Sequence, residues 1–171
     1  MKILIIGNIG SGKTTLGRKI QELTGFKFIQ IDELRERFFE KKVSEEYYCL
    51  YEFLKAIEDI DSVILEFTGA GCHKYAIKRA LELTNDTVLI ILCKTKLIST
   101  LRERIKEKEF NYVNPFNIDI NEHIQFVENE LNQDICNKFW SSNNFKFFEL
   151  FAEDLNDIKE IEKILNKKLL N

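Results

Sequence analysis

Five short apolar runs alternate along the chain with longer segments in which apolar residues recur every three or four positions. The runs predict buried strands, because parallel strands covered on both faces are almost continuously hydrophobic. In chain order they are Ile3–Ile6, Phe26–Ile31, Ser62–Phe67, Thr87–Leu92 and Phe145–Leu150. The run at 87–92 is the most continuously apolar, which predicts that it forms the central strand.

The segments between these runs have the spacing of amphipathic helices. Helices are predicted at 13–23, 33–40, 45–59, 73–84, 96–108, from 121 onward, and at 155–170. Strands that alternate with helices predict an α/β fold in which a five-stranded parallel sheet has helices on both faces, in three layers. Phe110–Asp119 breaks the pattern and contains the only proline, so we expect a lid at 109–122.

Composition narrows the class of protein. The chain has 171 residues, of which 44% are apolar and 31% charged, as expected for a single globular domain spanning 1–171. Its net charge of −3, without a dense basic run, argues against a general nucleic-acid partner. No apolar stretch has transmembrane length, and the four cysteines form no C-x-x-C pair. We therefore expect a cytoplasmic protein without a membrane partner, and the sequence leaves the oligomeric state open.

The residues after the first strand carry the most specific motif. Gly7, Gly12, Lys13 and Thr14 match G-x-x-x-x-G-K-[ST], the P-loop, between a predicted strand and a predicted helix. Successive backbone N–H groups and the helix N-terminus would surround phosphate oxygens. Lys13 is expected to reach the β- and γ-phosphates, and the Thr14 hydroxyl to bind Mg²⁺. The predicted nucleotide-binding residues are Gly7, Asn8, Ile9, Gly10, Ser11, Gly12, Lys13, Thr14 and Thr15.

Further candidates follow the second and third predicted strands, at the sheet edge where such folds bind ligands. Asp32 is a candidate for orienting or deprotonating an acceptor hydroxyl; the alternative is a helix N-cap. Glu66 is a candidate for holding Mg²⁺ or orienting the acceptor; the alternative is an acid satisfied by nearby N–H groups or an arginine. Gly69 and Gly71 would let a ligand approach the backbone, unless they form an ordinary turn.

Cations near a transferred phosphoryl group stabilise its spread negative charge. Arg104 and Lys108 precede the irregular segment, and Arg35 follows Asp32 closely enough to face an anionic acceptor. The alternative for Arg104 and Lys108 is a solvated helix face where they pair with Glu103 and Glu107, and the alternative for Arg35 is an exposed helix surface.

Together these residues resemble small P-loop kinases of the adenylate kinase and shikimate kinase-like group. The segment 26–32 looks like the one in which shikimate kinases carry two acids. The second acid matches Asp32, whereas Gln30 occupies the position of the first. The loop 68–71 resembles the glycine-rich acceptor loop of that group. The helix 101–108 is similar to the adenylate kinase helix that leads into the lid, which would bring Arg104 near the adenine or the phosphates.

The resemblance implies ATP as the phosphoryl donor, with Mg²⁺, and leaves the acceptor open: a nucleoside, a nucleotide or another hydroxyl metabolite. We therefore expect an ATP-dependent small-molecule kinase in which Lys13, Asp32 and Arg104 are catalytic. The alternative is a nucleotide-binding switch or NTPase. Switch GTPases read the base with N-K-x-D, and neither Asn-Lys pair, Asn137-Lys138 or Asn166-Lys167, has an aspartate two residues after the lysine.

Overall fold

A computed structural model describes residues 1–38, 45–107 and 119–151, together with 159, 163 and 165. The strands are β1 (Lys2–Gly7), β2 (Lys27–Gln30), β3 (Val63–Glu66), β4 (Val88–Lys94) and β5 (Phe145–Phe151). The helices are α1 (Lys13–Thr24), α2 (Ile31–Phe38), α3 (Glu45–Asp59), α4 (His73–Leu83), α5 (Ile98–Glu107) and α6 (Ile120–Cys136). The segment 109–118 of the predicted lid and nearly all of the predicted last helix lie outside the described residues.

The five strands form one parallel sheet in the order β2-β3-β1-β4-β5. The prediction of a five-stranded parallel sheet is confirmed, but β1 rather than β4 is the middle strand. An apolar run reports burial on both faces, which every interior strand shares, so it does not reveal the position of a strand in the order. This order puts β1, and the loop that follows it, between β3 and β4.

Two hydrophobic cores lie on opposite faces of the sheet. Leu4 and Ile6 of β1 belong to a core that includes residues of α2, α3, α4 and α6. Ile3 and Ile5 belong to a second core with Leu16 of α1 and its neighbours. Because successive side chains of a strand point to opposite faces, each strand contributes to both cores. The three-layer α/β/α arrangement is thus confirmed, and it is that of a P-loop fold.

The boundary between β2 and α2 differs from the prediction. The strand ends at Gln30 and the helix begins at Ile31, whereas the sequence predicted a strand to Ile31 and a helix from Glu33. Ile31 is 3% exposed and packs in the same core as Leu34, one helical turn later. Its apolar character therefore belongs to the buried face of α2. As a result, Asp32 lies in the first turn of the helix.

A buried ion pair connects α4 to α6. Lys74 Nζ donates hydrogen bonds to Asp134 at 2.8 Å and to Glu130 at 2.9 Å, and its side chain is 5% exposed. Removing one partner from a buried pair leaves an uncompensated charge, so this contact strongly favours the observed packing of the two helices. It thereby fixes where α4 begins relative to α6. None of the helices in the described part of the chain is long and apolar enough to cross a membrane.

Gly69 and Gly71 offer a matched test of the loop after β3. Both have positive φ, 81° and 78°, a conformation that costs other residues about 1–2 kcal/mol. A Cβ at Gly69 would lie 2.8 Å from Ile6 Cβ, whereas a Cβ at Gly71 would have no other atom within 4 Å. We expect Gly69→Ala to lower the free energy of unfolding by about 1–3 kcal/mol more than Gly71→Ala, measured by urea denaturation. Equal losses would show that the packing around Ile6 adjusts without cost.

Candidate active site

A cavity of about 220 Å³ opens at the carboxyl edge of the sheet. The P-loop, the start of α2, the β3–α4 connection and α6 enclose it. Eight candidates from the sequence line this one cavity: Ile9, Gly10, Lys13, Thr14, Asp32, Arg35, Glu66 and Gly71. The strand register explains the convergence, because Glu66 pairs with Ile5 of β1 on one side and with Gln30 of β2 on the other.

Glycines shape the P-loop at two positions where a side chain would not fit. Gly7 has φ 150°, and a Cβ there would overlap the carbonyl oxygen of Cys93 in β4. Gly10 has φ 75°, and its Cβ would lie 3.2 Å from the carbonyl oxygen of Leu101 in α5. The loop therefore lies directly against β4 and α5, as only residues without a Cβ allow.

Side chains from two other helices hold the P-loop in position. Asn8 Nδ2 donates to the carbonyl of Ile124 at 2.9 Å and to Glu128 at 3.1 Å, both in α6. Arg104 Nη1 donates to the carbonyl of Gly10 at 3.1 Å from α5. These hydrogen bonds give Asn8 and Arg104 a positioning role. A catalytic role for Arg104 stays a prediction.

Lys13 is 8% exposed, and its Nζ donates to the carbonyl of Asn8 at 2.8 Å, so the ammonium group lies within the loop that it would serve. The Thr14 hydroxyl donates to Glu66 Oε1 at 3.0 Å, and Glu66 is 6% exposed. These two oxygen-bearing side chains meet between the P-loop and β3. Mg²⁺ is usually bound by one or two protein oxygens together with phosphates and water, so the Thr14–Glu66 pair fits it.

An ionic network that the sequence did not predict lines the other side of the cavity. Arg35 Nη1 donates to Asp32 at 2.7 Å, and Arg35 also donates to both oxygens of Glu46, at 2.6 and 3.0 Å. Glu46 in turn lies 2.8 Å from Nε2 of His73. The network thus joins the start of α2, the start of α3 and the first residue of α4.

The partners in this network change the pKa values of its members. Burial raises the pKa of Glu46, but the hydrogen bonds with His73 and Arg35 lower it by more, so that the pKa falls from 4.5 to about 2. Burial lowers the pKa of Arg35, whereas Glu46 and Asp32 raise it to a net value above its usual range. Glu46 is therefore a carboxylate and Arg35 a guanidinium cation across the neutral pH range.

The α6 wall of the cavity carries His123 and Phe126. His123 is 4% exposed; burial and the charge of Arg35 lower its pKa, against an opposing effect of Asp32. It is therefore a neutral imidazole at neutral pH. Sequence reasoning missed His123, Phe126 and Glu46, since each lies on a helix distant in the chain from the P-loop. His73 had a usable signal, because it directly follows the loop after β3.

Four other sequence candidates lie away from this cavity, and Lys108 lies outside the described residues. Gly69 packs against Ile6 and Leu131 and does not line the cavity. Asn8 and Ser11 line a separate cavity of about 190 Å³, next to Cys93 and Glu128. Thr15 is exposed in the first turn of α1. In the part of the chain that the structure describes, no cluster of three or more His, Cys, Asp or Glu side chains is arranged to hold a metal ion without a ligand.

No protein-family model matches the chain, but curated proteins are similar to parts of it. The bifunctional shikimate kinase/3-dehydroquinate synthase of Thermotoga maritima is 38% identical over 81 residues, or 42% of this chain and 16% of that protein. The adenylate kinase isoenzyme 6 homolog of Caenorhabditis elegans is 31% identical over 111 residues, or 60% of this chain and 58% of that protein. The chain therefore spans less than two thirds of both curated relatives.

Solved structures extend the similarity over the whole chain. Shikimate kinase from Bacteroides thetaiotaomicron has a TM-score of 0.64 at 18% identity, covering 100% of this chain and 99% of that one. Deoxyadenosine kinase from M. mycoides with bound dATP has a TM-score of 0.64 at 19% identity, covering 97% and 100%. At these identities the likeness shows the fold. The predicted resemblance to small P-loop kinases is therefore confirmed for the fold.

The lowered pKa of Glu46 predicts a pH dependence of stability. A carboxyl group whose pKa falls from 4.5 to about 2 on folding contributes stability above pH 4.5 and loses it as the pH falls toward 2. We expect Glu46→Gln to be less stable than wild type at pH 7, with the difference shrinking between pH 4.5 and 2. Urea denaturation across this range measures it, with Glu36→Gln, on the exposed part of α2, as the control. A difference that does not change with pH would contradict the ionic network.

Proposed function

We propose that the chain is an ATP-dependent kinase that transfers the γ-phosphoryl group to a hydroxyl of a small-molecule acceptor. The observation that carries this proposal is that a P-loop and an acidic side chain, Asp32, line one cavity at the carboxyl edge of a parallel sheet. A P-loop binds the phosphates of a nucleotide, and the acid would face the incoming hydroxyl. The kinases named among the similar proteins support the same activity.

On the donor side, the backbone N–H groups of residues 7–15 and the N-terminus of α1 would surround the phosphates of ATP. Lys13 would exchange its bond to Asn8 for the β- and γ-phosphate oxygens. Thr14 and Glu66 would hold Mg²⁺, which would neutralise negative charge on the phosphates. Glu66 is paired in the sheet with Gln30, which has no carboxylate. Of this pair, Glu66 is therefore the residue that can bind Mg²⁺.

On the acceptor side, Asp32 would orient the acceptor hydroxyl and receive its proton as the oxygen attacks the γ-phosphorus. Its side chain lines the cavity, is 69% exposed and accepts a hydrogen bond from Arg35, which limits its motion. Phosphoryl transfer depends mainly on such positioning and on charge stabilisation. We also propose a cytoplasmic location, which the four cysteine thiols support, since thiols persist in a reducing compartment.

Release of ADP from ATP in the presence of a panel of hydroxyl acceptors tests the proposal. Lys13→Ala should reduce turnover by about 10²–10³-fold, because a charge-assisted contact worth about 2–4 kcal/mol in the transition state is lost. Lys146→Ala, exposed on β5, is the control and should keep wild-type turnover. Unchanged turnover in a folded Lys13→Ala protein would contradict the P-loop assignment. Acceptor-independent ADP release alone would favour the NTPase alternative.

Asp32→Asn tests the acceptor side separately. Asparagine retains a hydrogen bond to Arg35 but has no charge and cannot receive the proton. We expect turnover to fall by about 10²-fold or more while ATP binding, measured by calorimetry, stays nearly unchanged. Glu36→Gln on the same helix controls for the loss of one negative charge. Wild-type turnover in Asp32→Asn would leave Asp32 with a structural role only.

A further inference from the structure

Two long basic side chains line the described part of the cavity, and each already has a role. Among the described residues that line it, Lys13 and Arg35 are the lysine and arginine. Lys13 belongs to the P-loop and serves the nucleotide phosphates. Any positive charge that the described walls offer to an acceptor must therefore come from Arg35 or from the two histidines, His73 and His123.

Arg35 is bound on three sides by carboxylate oxygens. Its Nε and Nη2 donate to the two oxygens of Glu46 in a bidentate pair, and Nη1 donates to Asp32. The Arg35 side chain is only 15% exposed, and its bonds to Glu46 are partly buried. Bidentate arginine–carboxylate pairs are among the strongest hydrogen bonds in proteins. An anionic acceptor would have to displace one of these carboxylates from a guanidinium that they already neutralise.

The histidines do not supply the missing positive charge. His123 is neutral at neutral pH, because burial and the neighbouring Arg35 lower its pKa. His73 holds its Nε2 against Glu46 at 2.8 Å, so its ring is already engaged by that carboxylate. In the described walls of this half of the cavity, a bound anion would thus meet a guanidinium that Asp32 and Glu46 already hold.

The same half of the cavity suits an uncharged, polyhydroxylated molecule. Carboxylates accept hydrogen bonds from hydroxyl groups, and a neutral imidazole both donates and accepts. Phe126 is 44% exposed beside His123 and offers an aromatic face to a ring. Such walls suit sugar-like or nucleoside-like molecules that carry no formal charge.

We propose that the acceptor is electrically neutral, a nucleoside or polyol rather than a carboxylic acid or a phosphate ester, and that Glu46 determines this specificity by neutralising Arg35. The inference rests on the proposed function, because it concerns the acceptor of that phosphoryl transfer. Glu46 acts through Arg35 and is a positioning residue.

The test compares acceptors in pairs that differ by one anionic group. Suitable pairs are a sugar alcohol and its aldonic acid, a nucleoside and its 5′-monophosphate, and a cyclic hydroxy acid and its methyl ester. For each pair, kcat/KM is measured with Mg·ATP, and the dissociation constant is measured by calorimetry with a non-hydrolysable ATP analogue and Mg²⁺. We expect wild type to prefer the neutral member of a pair by about tenfold or more, which corresponds to about 1.4 kcal/mol.

Glu46→Gln provides the second arm, because glutamine keeps the size of the side chain and releases the charge of Arg35. We expect it to narrow or reverse the preference, mainly through a lower KM for the anionic member. Glu36→Gln should retain the wild-type ratio, and urea denaturation at pH 7 verifies that both variants are folded. The preference of wild type is itself diagnostic, so the test does not depend on the stability of Glu46→Gln.

The outcomes separate this inference from the proposed function. Tighter binding of the anionic members by wild type, or an unchanged preference in folded Glu46→Gln, overturns the neutral-acceptor inference, even if phosphoryl transfer occurs. Binding that follows the expected preference without any phosphoryl transfer overturns the kinase proposal, and with it the assignment of the bound molecule as an acceptor, while the charge preference of the site stands. If no member of any pair binds, both are wrong.

Discussion

The position of the P-loop is the constraint on which the rest of the site depends. Parallel pairing of β1 with β3 and β4 fixes where the loop begins, and the missing Cβ atoms of Gly7 and Gly10 let it lie against β4 and α5. Asn8 and Arg104 then bind the loop to α6 and α5 through backbone carbonyl groups. A loop held at both sides presents its N–H groups in a fixed arrangement, so little ordering remains to be done when a ligand binds.

A second constraint comes from charge in the acceptor half of the cavity. Arg35 connects three helices, because it binds Asp32 in its own helix and Glu46 in α3, and Glu46 contacts His73 at the start of α4. The buried pair of Lys74 with Asp134 holds α4 against α6 directly beside this network. The ionic contacts that orient these helices therefore also determine the charge on the cavity wall where an acceptor would bind.

Several features follow from the sequence because they are local. The P-loop residues lie within one short segment, so their spacing alone identifies them, and alternating apolar runs and helical periodicity predicted the sheet and its three layers. Asp32 and Glu66 were found because parallel strands end at the same sheet edge. The start of α2 was predicted two residues late, since an apolar residue such as Ile31 fits the end of a strand and the buried face of a helix equally well.

By itself, the sequence determined the fold class, the phosphate-binding loop and the edge of the sheet at which a ligand binds. Only the tertiary structure decided that β1 is the middle strand, that Gly71 lines the cavity while Gly69 packs under it, and that Glu46 neutralises Arg35. The physical reason is distance along the chain. Contacts between α2, α3, α4 and α6 depend on side-chain directions that arise when helices pack, and no periodicity or spacing within a single element encodes them.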